Sequence, residues 1–62
     1  MPFCNNLREQ MHQKEITSYR LAKDLNIHQS TIKNWLDGMP PHLQYARKVA
    51  DYFGKSVDEM IR

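Results

Sequence analysis

Residues 16 to 38 read ITSYRLAKDLNIHQSTIKNWLDG, and their spacing predicts two short helices joined by a tight turn and closed by a glycine. Leu21, Ala22 and Leu25 share one helical face at i, i+1, i+4, and Ile32, Trp35 and Leu36 do the same at i, i+3, i+4. Asn26 falls just past the first helix, where a left-handed residue is needed and where Asn is the commonest choice after Gly. Ile27 is then free to pack inward and set the angle between the helices. Thr17 or Ser18 is a good N-cap for the first helix, whereas His28 is a poor one for the second. Gly38 stops the second helix, and Pro40-Pro41 forbids its continuation while presetting the start of the next. What remains of the second helix is Gln29, Ser30, Thr31, Lys33 and Asn34. These side chains hydrogen-bond in the plane of a base edge, with one cation among them. A purely solvated helix is more often filled with Glu and Lys, so this face has the chemistry of a reading surface.

The segment resembles the helix-turn-helix of the lambda-repressor and Cro-like (XRE) family of bacterial and phage DNA-binding proteins. The matching residues are Ile16-Thr17-Ser18, Leu21-Ala22, Asn26, Ser30-Thr31-Ile32 and Asp37-Gly38. The likeness continues through Leu43, Ala46, Val49-Ala50 and Phe53-Gly54 to Ser56-Val57-Asp58-Glu59-Met60-Ile61. It therefore covers nearly the whole chain. Ser18 stands where the family usually has Gln, Asn26 where it has Gly, and the Met39-Pro40-Pro41-His42 loop lacks the basic residues often found there. The resemblance implies a sequence-specific double-stranded DNA-binding regulator, a repressor of phage or mobile-element type, whose third helix reads the major groove. Its partners would be a DNA operator and a second copy of itself, and its place the cytoplasm of a bacterial or phage-infected cell.

Outward from that motif, the 62 residues predict one all-α domain of about five short helices, spanning residues 1 to 62, with the helix-turn-helix at about 18–37. Phe3, Leu7 and Met11 put an apolar stripe on a first helix from about Phe3 to Lys14. The fourth helix, roughly 41–53, should bury Leu43, Ala46, Val49, Ala50 and Phe53, with Gly54 as its left-handed stop. Ser56-Val57-Asp58-Glu59 is a capping box that opens a short fifth helix. A chain of this size buries only about 60% of its unfolded surface, and one cysteine cannot form an internal disulfide. Cys4 reads as a small packed side chain in a reducing compartment.

Net charge is +2, and it is unevenly spread. Residues 1 to 36 carry Arg8, Lys14, Arg20, Lys23 and Lys33 against Glu9, Glu15 and Asp24; residues 37 to 62 carry four charges of each sign. The excess lies with the proposed reading half, as an electrostatic footprint should. No apolar run approaches the ~20 residues of a membrane span, and no signal-peptide pattern precedes the first helix. His12, His28 and His42 sit on separate elements with no Cys or carboxylate beside them at ligand spacing. No metal, cofactor, small-molecule substrate or enzyme activity is expected, since so short a chain cannot easily enclose a ligand-sized pocket.

Gln29, Ser30, Thr31 and Asn34 are the candidate base contacts, because the N-terminal part of a recognition helix reaches base edges and Gln and Asn pair with adenine through N6 and N7. Five residues at ~100° each leave Gln29 and Asn34 some 140° apart, so the two cannot meet one base. The bland alternative is a solvated polar face, and the Thr31 methyl could pack internally instead. Ser18, Tyr19, Lys33, Arg8 and Arg20 are the candidate phosphate contacts, Ser18 through the free amides of its helix N-terminus. Trp35 shares a face with Ile32 and Leu36 and reads as core rather than as a stacking platform. Pro40, Pro41, Tyr45 and Met60 are the candidate dimer surface. A protein-interaction module, as in an antitoxin or adaptor, is the competing function; the near-neutral second half and uncharged 39–42 loop favour it, and the polar third helix favours DNA.

Overall fold

The computed structural model describes residues 2–61, which form five helices and no strand: α1 Pro2–Lys14, α2 Ser18–Leu25, α3 Gln29–Leu36, α4 Leu43–Tyr52 and α5 Val57–Ile61. They pack into a body of 24 × 21 × 18 Å. The stripe Phe3, Leu7 and Met11 is buried, as the spacing predicts, against Leu21, Ile32, Val49, Ala50 and Phe53 from the other helices. Trp35 is 4% exposed, with Phe3 edge-on at 5.8 Å and Tyr45 tilted at 5.9 Å. It is a core residue.

Four helix ends are closed by one device. Each time the amide five residues on bonds back into the last turn: Ile16 to the Met11 carbonyl, Ile27 to Ala22, Met39 to Asn34 and Lys55 to Ala50, at 2.8 to 3.0 Å. This paired closure needs a positive φ at the residue between, supplied by Glu15 (55°), Asn26 (58°), Gly38 (112°) and Gly54 (68°). Asn26, Gly38 and Gly54 stop their helices as expected. Glu15, a side chain seldom found there, was not anticipated. The capping box at α5 forms in both directions, Ser56 N to Glu59 Oε1 at 2.9 Å and Glu59 N to Ser56 Oγ at 3.1 Å.

Two expectations about α4 and α5 are corrected. Leu43 is 61% exposed rather than buried. Pro41 lies outside α4, and His42, in extended conformation, is the N-cap whose carbonyl takes the first helical bond from Ala46. Leu43 is thus the first residue of α4, and burial on this helix begins at Ala46. Met60 is 1% exposed, so its side chain fills the core and is not a surface for a partner. Ile61, one position on, is the exposed apolar residue of that helix.

Candidate nucleic-acid interface

Position along α3 decides which of its side chains reach solvent. Ile32 and Trp35 are buried, Gln29 and Thr31 half-buried, and Ser30, Lys33 and Asn34 exposed. The exposed three follow i, i+3, i+4, so they form one stripe, and Gln29 borders it at the N-terminal end. Thr31 turns towards the loop: with Asn34, Met39, His42 and Tyr45 it lines a shallow depression of about 140 Å³.

The α2–α3 junction orients that end. Thr17 is the N-cap of α2, its Oγ1 accepting from Arg20 N at 3.2 Å. Ser18 is thereby relieved of capping, and its Oγ accepts a bond from Gln29 Nε2 at 3.2 Å. No spacing argument in the sequence pointed to this bond, because it joins residues on two helices. His28 makes no side-chain cap, leaving the first amides of α3 free of a side-chain acceptor.

The remaining candidate contacts fall into distinct settings. Tyr19 is 64% exposed and Lys33 is exposed. Arg20 pairs through Nε with Asp24 Oδ2 at 3.0 Å. Arg8 donates from Nη2 to the Leu36 carbonyl at 2.9 Å, so it lies at the C-terminal end of α3. Tyr52 of α4 donates its hydroxyl to the same Asp24 oxygen at 2.5 Å. That bond first, and Arg20 second, hold the Asp24 carboxyl below its ordinary value, while Asp24 raises the Tyr52 hydroxyl above its own. The sequence offered no sign of this brace between α2 and α4.

Of the candidate dimer residues, Pro40 is exposed, and Pro41 and Tyr45 are half-buried. Both prolines edge an apolar groove of about 220 Å³, continued by Leu43, Val57 and Ile61. Tyr45 does not line that groove but the adjoining depression, with Thr31 and with Pro40, which borders both. Among the described residues no three His, Cys, Asp or Glu side chains gather to hold a metal, and no helix is long and apolar enough to cross a membrane.

α2 and α3 thus form a tight helix-turn-helix, with a polar stripe on α3 and its N-terminal end bonded to the start of α2. The sequence model of the Cro/C1-type HTH DNA-binding domain matches residues 6–62. The chain belongs to that family. No curated protein and no solved structure matches it. As a Cro/C1-type domain the protein is a DNA-binding helix-turn-helix regulator.

Proposed function

We propose that this Cro/C1-type domain is a sequence-specific repressor, of phage or mobile-element type, that lays α3 in the major groove of its operator and excludes polymerase by occupying the site. The observation that carries the reading is the hydrogen-bonding stripe of Ser30, Lys33 and Asn34 with Gln29 pinned beside it. A Gln amide that gives one N–H to Ser18 keeps its carbonyl oxygen and a second N–H. That remaining pair is complementary to adenine N6 and N7. Ser30 and Asn34 extend the donor–acceptor pattern along the groove, and Thr31 has its methyl for a thymine. The Ser18 hydroxyl proton, Tyr19 and Lys33 are then aimed at the flanking phosphates, where contacts fix register without reading sequence.

One reading helix spans few base pairs, so the functional unit is a two-fold dimer with half-sites about 34 Å apart. Pro40, Pro41 and Tyr45 remain the proposed pairing surface, now with Leu43 and Ile61 in place of Met60. A standard stable interface buries about 800 Å² per partner, roughly a fifth of the 4307 Å² this domain exposes. The groove is lined by seven residues, against the roughly 20–30 a side of such an interface, which supports pairing that is weak in solution and firm on DNA, where the operator supplies effective concentration.

Selection of bound sites from a random duplex pool tests the reading, followed by a salt titration on mixed-sequence DNA. A two-fold-related consensus is expected, together with a log–log salt slope of about −0.9 per phosphate neutralised. No enriched sequence and no salt dependence would replace it with the protein-interaction module.

A further inference from the structure

The last turn of α3 accounts for all its carbonyls. Lys33 O accepts from Asp37 N at 2.9 Å, Asn34 O from Met39 N at 3.0 Å and Trp35 O from Gly38 N at 3.0 Å. Leu36 O is satisfied instead by α1, through Arg8 Nη2 at 2.9 Å and Cys4 Sγ at 2.8 Å. Cys4 and Arg8 are four apart and so share a face of α1, next to the Phe3–Leu7 stripe that enters the core. The reading helix is therefore tied at both ends by side chains, by Gln29 to Ser18 on α2 and by Leu36 to Arg8 and Cys4 on α1, with the exposed stripe between them.

We propose that Arg8 is a positioning residue for the reading helix: it seats the C-terminal end of α3 on α1 through the Leu36 carbonyl and is not a phosphate contact. The seventh rise from Gln29 puts Leu36 about 10 Å along the axis. It is thus at the opposite end from the residues that a recognition helix sends to base edges. Eight residues with two tethers make a short rigid rod. Loosening the Leu36 tether lets Asn34 shift while Gln29 stays in place, so the effect falls on discrimination between sequences. This assignment rests on the DNA-reading role of α3.

Two replacements separate seat from phosphate contact. Arg8→citrulline keeps the planar shape and the N–H donor and removes the charge, whereas Arg8→Lys keeps the charge and exchanges the rigid fork for a point donor. A seat predicts that the citrulline variant retains both the salt slope on mixed-sequence DNA and the preference for the selected operator. The Lys variant should keep the slope but lose about tenfold in preference, the scale of one hydrogen bond lost with the rigid fork that aimed it. Its Asp37, Gly38 and Met39 amides, which close the same turn, should exchange faster without DNA present. A salt slope reduced by about 0.9 in the citrulline variant, with preference intact in the Lys variant, would make Arg8 a phosphate contact and overturn the proposal. If the unaltered protein shows no salt-dependent DNA binding, the DNA-reading role falls, and amide exchange alone decides the seat: faster in the Lys variant supports it, unchanged refutes it.

Discussion

Asn34 is exposed on the outer face of α3, one turn from Ser30, while its neighbour Trp35 is enclosed by the rings of Phe3 and Tyr45. Adjacent residues thus serve opposite ends because consecutive helical positions diverge by about 100°. Asn34→Ala should weaken binding to the selected operator by about 1–3 kcal/mol and leave unrelated DNA little changed; competitive titration with both duplexes measures this. Equal losses on the two would mean that Asn34 positions the protein without reading sequence. At Glu15 the backbone itself is at issue. Its φ of 55° places a Cβ in the left-handed region, which costs an ordinary residue about 1–2 kcal/mol. Part of that returns when glycine is substituted, because glycine has more freedom to lose on folding. Glu15→Gly should raise stability by about 0.5–1 kcal/mol in urea unfolding.

Helices are the next scale, and what joins them here is polar as well as apolar. α2 is cross-linked to α3 by Ser18 and Gln29, and to α4 by Asp24 and Tyr52. The second link has a definite pH dependence. Asp24 sits below its ordinary value of 3.8 in the folded state, so its contribution is present above that value and is lost as the pH falls through the lower folded one. Tyr52 is shifted above its ordinary 10.0, so its share is present below 10.0 and is lost as the pH rises through the folded value. Thermal melts of the unaltered protein and of Tyr52→Phe should differ most near neutrality and converge in acid, once the pH has fallen through the lowered folded value of Asp24. A constant gap across the acid range would show that Asp24 is not the acceptor that matters.

At the scale of the molecule a single core receives side chains from all five helices, and the domain has little margin. Trp35→Ala should cost roughly 3–5 kcal/mol, comparable to the ~3–9 kcal/mol that about 0.05–0.15 kcal/mol per residue gives a domain of 62 residues. Circular dichroism should show it largely unfolded at room temperature. A variant that keeps its melting temperature and loses only DNA binding would return Trp35 to the surface. Assembly is decided at this scale too. Light scattering of the complex with a full operator should give two chains per duplex. One chain at saturation would leave the Pro40, Leu43 and Ile61 surface without the partner proposed for it.

Local and periodic information was legible in the chain by itself. Helix spacing identified the buried faces of α1, α2 and α3 because burial repeats with the helical turn, and Asn26, Gly38, Gly54 and the Ser56–Glu59 box marked helix ends because those signals act within a few residues. The polar stripe of α3 was legible for the same reason: whatever is left outside a helix's apolar face must point outward. Tertiary structure alone decided the rest. Whether Met60 or Ile61 faces the core depends on how a five-residue helix is docked, which two neighbouring apolar residues do not specify. Leu43 fits the apolar pattern of α4, yet at the first position of that helix it is exposed, and burial begins at Ala46. Arg8 to Leu36, Gln29 to Ser18 and Tyr52 to Asp24 join residues 28, 11 and 28 positions apart. Such bonds form only after packing brings two helices to one distance and one rotation, and no spacing along a single chain encodes that geometry.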